Sequence, residues 1–183
     1  IVRWEANSQP QRDVLKCTHR EILFGGSRGG GKTDAGLAWL VEPEYISNPQ
    51  YRSLVIRQDY GDLSDWLFRA KRMYQGLCEV RESMPPLIRW NGGGETRLGH
   101  WKDRDTISKY IGHEYWKMLF EESTQSIRSE NDYKMILGSL RCSDPGIVPQ
   151  VLLTTNPGGP GHGWHKKYFV DKCRGKTYVD PES

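Results

Sequence analysis

Gly26-Ser27-Arg28-Gly29-Gly30-Gly31-Lys32-Thr33 is the segment whose residue types and spacing are best suited to chemistry, and it fits G-x-x-x-x-G-K-[ST] without adjustment. Glycines let successive backbone N–H groups turn inward around phosphate oxygens and form an anion nest. A helix beginning near Lys32 points its positive dipole end at the same place. In a loop of this kind the lysine reaches the β- and γ-phosphates, and the hydroxyl after it ligates Mg²⁺. The pattern therefore predicts that Gly26, Ser27, Arg28, Gly29, Gly30, Gly31, Lys32 and Thr33 bind a nucleotide, with Thr33 as a metal ligand. The bland alternative is a flexible turn with a chance lysine. From average residue frequencies, a chance match in a chain of this length has a probability on the order of 1%.

A phosphate loop binds, whereas hydrolysis also needs an acid to organise a metal and a group to activate water. Met118-Leu119-Phe120-Glu121-Glu122 supplies two carboxylates directly after a hydrophobic run. It reads as a Walker B sequence with Glu in place of the more common Asp at the first acidic position. Glu121 is assigned to Mg²⁺ through its water shell, and Glu122 to polarising the attacking water. Thr154-Thr155-Asn156-Pro157-Gly158-Gly159 puts hydroxyls and an amide at another strand end. These can contact a γ-phosphate or its water, or they can simply form an N-P-G-G turn. The residues alone leave both readings open.

The elements that must position these groups follow from periodicity. Ile22-Leu23-Phe24 predicts a short buried strand feeding the glycine loop, and Leu37, Leu40 and Val41 predict a helix after it that Pro43 limits. Leu54-Val55-Ile56, Lys117-Met118-Leu119-Phe120 and Val151-Leu152-Leu153-Thr154-Thr155 predict further strands. Leu63, Leu67 and Ala70 predict a helix, and so do Tyr133, Ile136, Leu137 and Leu140 within 131–140. The runs 87–90 and 97–101 flank Gly92–Gly94 and read as a hairpin with a mobile tip. Strands alternating with helices predict an α/β domain with a largely parallel sheet, whose ligands gather at the carboxyl ends of the strands. All three polar clusters fall at such ends.

Composition excludes several classes. The chain has 183 residues, 36% of them hydrophobic, and its seven Trp, nine Tyr and four Phe can fill a core, so wholesale disorder is ruled out. No run approaches the ~18 apolar residues of a membrane helix. A net charge of +3 is too small to argue for nucleic acid on its own. Lys166, Lys167, Lys172, Arg174 and Lys176 give the tail a local basic bias. Cys17, Cys78, Cys142 and Cys173 are widely spaced, which argues for a reducing compartment and against zinc or a disulfide framework. His162 and His165 have a zinc-like spacing but no further ligands nearby, so they read as surface or packing histidines. The tryptophans fall in core segments and read as packing.

Gly26–Thr33, Leu119-Phe120-Glu121-Glu122-Ser123 and Thr154–Gly159, followed by Gly163-Trp164-His165-Lys166-Lys167-Tyr168-Phe169, closely resemble the large terminase subunit of tailed bacteriophages. The resemblance runs from Gln9 to about Asp171, and it includes 129–141, which looks like the family's helix before the last core strand. Many families share the phosphate loop; the T-T-N-P-G-G segment with its aromatic and basic sequel is more particular. The resemblance implies a RecA-like P-loop NTPase of the additional-strand type, with a mainly parallel sheet and helices on both faces. It implies ATP and Mg²⁺ as cofactors, used to drive viral double-stranded DNA into a procapsid.

The resemblance also implies roles for particular residues. Arg28 would sense the γ-phosphate, and Thr154, Thr155 and Asn156 would couple hydrolysis to movement. Gln11, or failing it Gln9, would recognise adenine. Arg104, or failing it Arg141, would be the arginine that one subunit supplies to the next. The implied partners are DNA, the portal protein, the small terminase subunit and neighbouring copies in a ring on the portal in the host cytoplasm, with the isolated domain monomeric and no membrane involved. A start at Ile1 without methionine reads as a fragment. The stretch after Glu122 is too short for the family's nuclease domain. A single ATPase domain over 1–183 is therefore expected, with no DNA cleavage, an incomplete linking subdomain, and weak, salt-sensitive DNA binding. Two rival readings stand beside this one: a RecA-like helicase or repair ATPase, and a nucleotide-gated assembly module in which Glu121 makes hydrolysis negligible.

Overall fold

A computed structural model describes residues 4–173; Ile1, Arg174 and Lys176 lie outside the described residues, as does the side chain of Cys173. The apolar runs become strands with little adjustment of their ends. They are β1 (Glu21–Gly25), β2 (Arg52–Arg57), β6 (Lys117–Phe120) and β7 (Gln150–Thr155), joined by β3 (Cys78–Arg81), β4 (Leu87–Trp90) and β5 (Glu95–His100). The helices are α1 (Gln9–Lys16), α2 (Lys32–Trp39), α3 (Pro43–Ile46), α4 (Tyr60–Met73), α5 (Arg104–Ser108), α6 (Ser123–Ser126), α7 (Glu130–Leu137), α8 (His162–His165) and α9 (Asp171–Cys173), with a π-helical turn over Lys166–Val170 before the last.

The strands form one seven-stranded sheet in the order β1-β7-β6-β2-β5-β4-β3. From β1 to β5 the pairing is parallel, and β4 and β3 extend it as an antiparallel wing. The strand that ends in Thr154-Thr155 thus lies between the strand feeding the glycine loop and the strand feeding Glu121. That insertion defines the additional-strand class of P-loop NTPases.

Parallel strands covered on both faces read as continuous apolar runs, and period-2 alternation divides their side chains between two cores. Val55, Leu119 and Leu152 pack with Leu37, Leu63 and Trp66 of α2 and α4 on one face. Leu54, Ile56, Met118, Phe120, Val151 and Leu153 pack with Ile107 of α5 and Tyr133 and Ile136 of α7 on the other. Trp39, Trp66, Trp90, Trp101 and Trp116 are buried. No helix of the described residues is long and apolar enough to cross a membrane.

Two expectations are corrected. The hairpin itself forms, with β4 antiparallel to β5, and β5 also pairs in parallel with β2 from Arg52↔Glu95 to Arg57↔His100, so it belongs to the main sheet. Its tip is packed rather than free, because a Cβ on Gly94 would lie 2.7 Å from the Tyr51 carbonyl oxygen and one on Gly92 would overlap the Ile46 carbonyl. These glycines permit close backbone approach. The predicted helix over 131–140 ends at Leu137, and Leu140 instead bridges to Tyr115.

Lys117 shows how the sheet is tied to the loop helix. It is fully buried at the start of β6, donates to the Trp39 carbonyl at the end of α2 at 2.7 Å and pairs with Glu42. Its ammonium also lies over the Trp39 and Tyr45 rings, 4.4 and 4.6 Å from their centroids. Burial, opposed by Glu42, pushes its pKa down to about 8. Between that value and the unfolded lysine's ~10.4 the unfolded chain holds the extra proton, so this group's contribution to stability grows as pH rises and is lost as pH falls through 8. Urea unfolding of the parent and of Lys117→Met at a series of pH values should show the parent gaining on the variant by on the order of 1 kcal/mol per pH unit across that window. A constant difference would show that the ammonium is not held at a lowered pKa.

Candidate nucleotide site

β1 ends at Gly25, and the chain turns through residues 26–31 before α2 begins at Lys32. Gly29 and Gly31 have φ of +80° and +65°, which side chains rarely adopt, and a Cβ on Gly31 would also strike the Gln11 amide. The glycines at these positions are thus required by backbone geometry. Lys32 Nζ donates to the carbonyl oxygens of Ser27 and Gly26 at 2.7 and 3.2 Å. Partial burial lowers its pKa, against the pull of Glu122 and Glu121.

At the end of β6, Glu121 is buried at 1% exposure. Its Oε2 accepts from Thr33 Oγ1 at 3.5 Å and lies 3.6 Å from Arg57 Nε, while its Oε1 is buried with no hydrogen-bond partner among the described residues. Burial, with a smaller push from Glu122, raises its pKa to about 7 although Arg57 and Thr33 oppose the shift. A buried carboxylate oxygen lacking a partner, with a threonine hydroxyl on its sister oxygen, is a donor set that suits a hard divalent cation. Glu122 is half exposed and has φ 50° and ψ 44°, the one positive φ outside glycine among the described residues. Such a conformation costs on the order of 1–3 kcal/mol and persists only where the surroundings over-determine it.

Arg57, the last residue of β2, was not among the residues singled out from sequence. It lies near both carboxylates, with Nη2 3.8 Å from Glu122, while Nη1 donates to the Asp62 carbonyl at 2.7 Å. A lone arginine after a strand gives no sequence signal. The signal is the register Ile56↔Phe120, which sets Arg57 beside Glu121.

The tip of β7 completes the cleft. Thr155 Oγ1 bonds to Thr124 Oγ1 at 2.8 Å and donates to the Asn156 carbonyl at 3.0 Å, and Asn156 Oδ1 is buried with no partner among the described residues. Residues 28–34, Arg69, Glu121, Glu122 and Thr154–Asn156 line one cleft of about 320 Å³. Three sequence clusters, far apart in the chain, converge there.

The remaining candidates fall elsewhere. Gln11 is buried behind the loop: its Oε1 accepts from the Asn7 N–H at 2.9 Å and its Nε2 donates to the Gly31 carbonyl at 3.1 Å. It borders an adjoining hollow with Trp4, Phe24 and the loop glycines. Gln9 is exposed and bonds to Asp13. Arg104 is 74% exposed on α5 and pairs with Asp132 at 2.9 Å, and it does not line the cleft. Arg141 donates to the Gly112 carbonyl. His162 Nδ1 accepts from the Gly158 N–H, and no cluster of three potential metal ligands occurs among the described residues.

The fold and the loop together are those of the P-loop NTPase architecture with the added strand beside β1. No family model matches the chain, and no curated protein sequence does so. Among solved structures it is similar to the large terminase of a thermophilic bacteriophage, with a TM-score of 0.71 and 22% identity over 94% of this chain and 44% of that one. It is also similar to the large terminase ATPase domain of Thermus phage P74-26, at a TM-score of 0.64 and 16% identity over 97% of this chain and 76% of that one. The large terminase of bacteriophage HK97 follows at 0.61 and 14% identity, over 85% and 34%. This chain thus spans less than half the length of the first of these proteins.

Proposed function

We propose that this chain binds MgATP and hydrolyses it as the ATPase motor of a phage large terminase, moving double-stranded viral DNA into a procapsid. The observation that carries the reading is the convergence of Lys32 and Thr33, Glu121 and Glu122, and Asn156 on one cleft. The terminase part of the reading draws on the shared fold and on the large terminase of the thermophilic bacteriophage, which has been solved with ADP and with ATP-γ-S.

In this mechanism the backbone N–H groups of 28–31 and the Lys32 ammonium hold the phosphates, and Arg28 contacts the γ-phosphate. Thr33 and Glu121 hold Mg²⁺, which supplies charge neutralisation at the phosphates. Glu122 takes up the proton of the attacking water. Asn156, at the tip of β7, contacts the γ-phosphate or its water and passes its loss to the segment that follows. Gln11, anchored to Gly31, recognises adenine with its remaining amide hydrogen. Arg104, on an exposed helix away from its own cleft, acts in the cleft of a neighbouring copy in a ring. The portal protein and the small terminase subunit are its further partners, in the host cytoplasm.

Titration with a fluorescent ATP analogue and a phosphate-release assay, each with Mg²⁺ and with chelator, test this reading. Mg²⁺-dependent binding, and turnover per chain that rises with protein concentration as neighbours supply the arginine, are expected. Absence of nucleotide binding would overturn it. Arg57 adds a further prediction. Arg57→Gln leaves the buried Glu121 without its counter-charge and Glu122 without a guide, so turnover should fall about tenfold or more and the Mg²⁺-dependent part of nucleotide affinity should weaken. Unchanged turnover would reduce Arg57 to a tether for Asp62.

A further inference from the structure

His165 belongs to no part of the mechanism above, yet it is one of the most deeply built-in polar side chains of the fold, with 2% exposure. Its Nδ1 lies 2.8 Å from the Gly161 carbonyl oxygen and its Nε2 2.9 Å from Ser123 Oγ. A carbonyl only accepts, so Nδ1 carries the hydrogen and Nε2 accepts from the Ser123 hydroxyl. Burial pushes the ring's pKa down to about 4, which keeps it neutral and in that arrangement. Ser123 is fully buried, immediately follows Glu122 and is the first residue of α6.

The same stretch of chain grips the rest of α6. The Gly161 N–H donates to the Thr124 carbonyl at 2.8 Å, and Trp164 Nε1 donates to the Ile127 carbonyl at 2.8 Å. A Cβ on Gly159 would lie 2.9 Å from the Thr124 oxygen, and one on Gly161 would overlap the Ile127 oxygen. A helix of four residues has too few bonds of its own to stand alone. The left-handed backbone at Glu122 thus sits between the Thr124–Thr155 hydroxyl pair and this outer grip, and within the grip it is the His165 side chain that reaches the residue next to Glu122.

We propose that His165 is a positioning residue for Glu122, acting through the Ser123 hydroxyl to hold the left-handed turn that aims the carboxylate into the cleft. The inference rests on the hydrolytic reading of Glu122. It also gives the segment after Asn156 a route back to the site, since a shift of 158–165 would be felt at Glu122.

The test compares His165→Ala, Ser123→Ala, the double variant and His165→Gln, whose amide can still accept from Ser123. Steady-state turnover of MgATP is measured well below the melting temperature of each. Loss of kcat by about tenfold or more with KM within about twofold is expected for both alanine variants. The double variant should be no worse than either single one, and His165→Gln should keep most of the parent kcat. In parallel, amide exchange of Gln125 and Ile127, which bond to the carbonyls of Glu122 and Ser123, should speed up about tenfold or more in His165→Ala. Additive losses, a change in KM alone, or faster exchange with unchanged kcat would overturn the proposal. A parent that binds MgATP without releasing phosphate would overturn the hydrolytic reading instead. Exchange then decides for the clamp, with unchanged rates overturning it and faster rates sustaining it.

Discussion

Glu122→Ala is expected to bind MgATP about as well as the parent and to turn it over more slowly by a factor of roughly 10²–10⁴, the range that a positioned general base contributes. The division follows from where the two carboxylates sit. Glu121 is buried against Thr33 and Arg57, whereas Glu122 stands half exposed at the cleft and touches that cluster only through Arg57, at 3.8 Å. Removing Glu122 therefore leaves the phosphate loop and the proposed metal ligands in place. One complication is the backbone, because alanine in a left-handed conformation is itself disfavoured by about 1–2 kcal/mol. Glu122→Gln separates the two effects: it keeps the length and backbone preference of the side chain and removes only the basic oxygen. Single-turnover phosphate release and nucleotide titration of both variants settle the assignment. Turnover by Glu122→Gln equal to the parent's would show that another group activates the water.

The two effects also differ in what else they disturb. Glutamine at 122 stays near Arg57, so the guanidinium remains close to Glu121 and the buried oxygen keeps its counter-charge. The Arg57 variant acts in the reverse order, leaving the base intact but misplaced. Affinity should thus hold for the Glu122 variants and weaken with Arg57, while turnover falls further for Glu122.

What was legible in the sequence is what contiguous residues dictate. The phosphate loop announces itself because the backbone conformations at Gly29 and Gly31 and the reach of Lys32 are all encoded within eight positions. Glu121 and Glu122 were legible because a buried strand must be apolar and its first polar residues mark its end. The β7 tip was legible for the same reason, although its residues alone did not separate a phosphate contact from a turn. Thr154, Thr155 and Asn156 line the cleft beside the loop, and the contact is part of the proposed mechanism. By contrast, β3 has an alternating pattern of half-buried and exposed side chains at the edge of the wing, too weak to stand out from a loop. The fusion of the hairpin into the sheet depends on the pairing of β5 with β2, which no local pattern encodes.

Arg57 was not singled out, and His165 was read only as a surface or packing histidine, for one physical reason. Each acquires its partners from a strand or helix distant in the chain, 64 residues on for the Arg57–Glu121 pair and 42 residues back for the His165–Ser123 bond. A histidine spaced from another by three, with no further ligands nearby, reads locally as surface or packing. Only the fold shows it wedged between a carbonyl and a hydroxyl. Gln11 was read as a base contact, and the fold shows its amide bracing the Gly31 carbonyl. A variant at Gln11 will therefore disturb the loop as well as any contact to adenine.

Lys32→Ala should lose MgATP affinity by about a hundredfold or more, within the range of 2–5 kcal/mol or greater for truncating one partner of a hydrogen-bonded charge pair. In the protein alone, Lys32 satisfies two carbonyls of its own loop, Gly26 and Ser27. Binding must exchange those carbonyls for phosphate oxygens, so part of the attraction is spent on breaking existing bonds. Two features keep the exchange favourable. The ammonium is partly desolvated already, as its lowered pKa records, and a doubly charged phosphate is a far stronger acceptor than a carbonyl. Removing the ammonium also leaves two loop carbonyls without their donor, which loosens the nest before any nucleotide arrives. Lys32→Arg should restore little, because the longer planar head cannot occupy a position set by two carbonyls so close to the helix start. Titration at several salt concentrations adds a second readout: the parent's affinity should fall with salt more steeply than the variant's, since one phosphate contact has been removed. Affinities within about threefold of each other at low salt would mean that the backbone nest alone holds the phosphates.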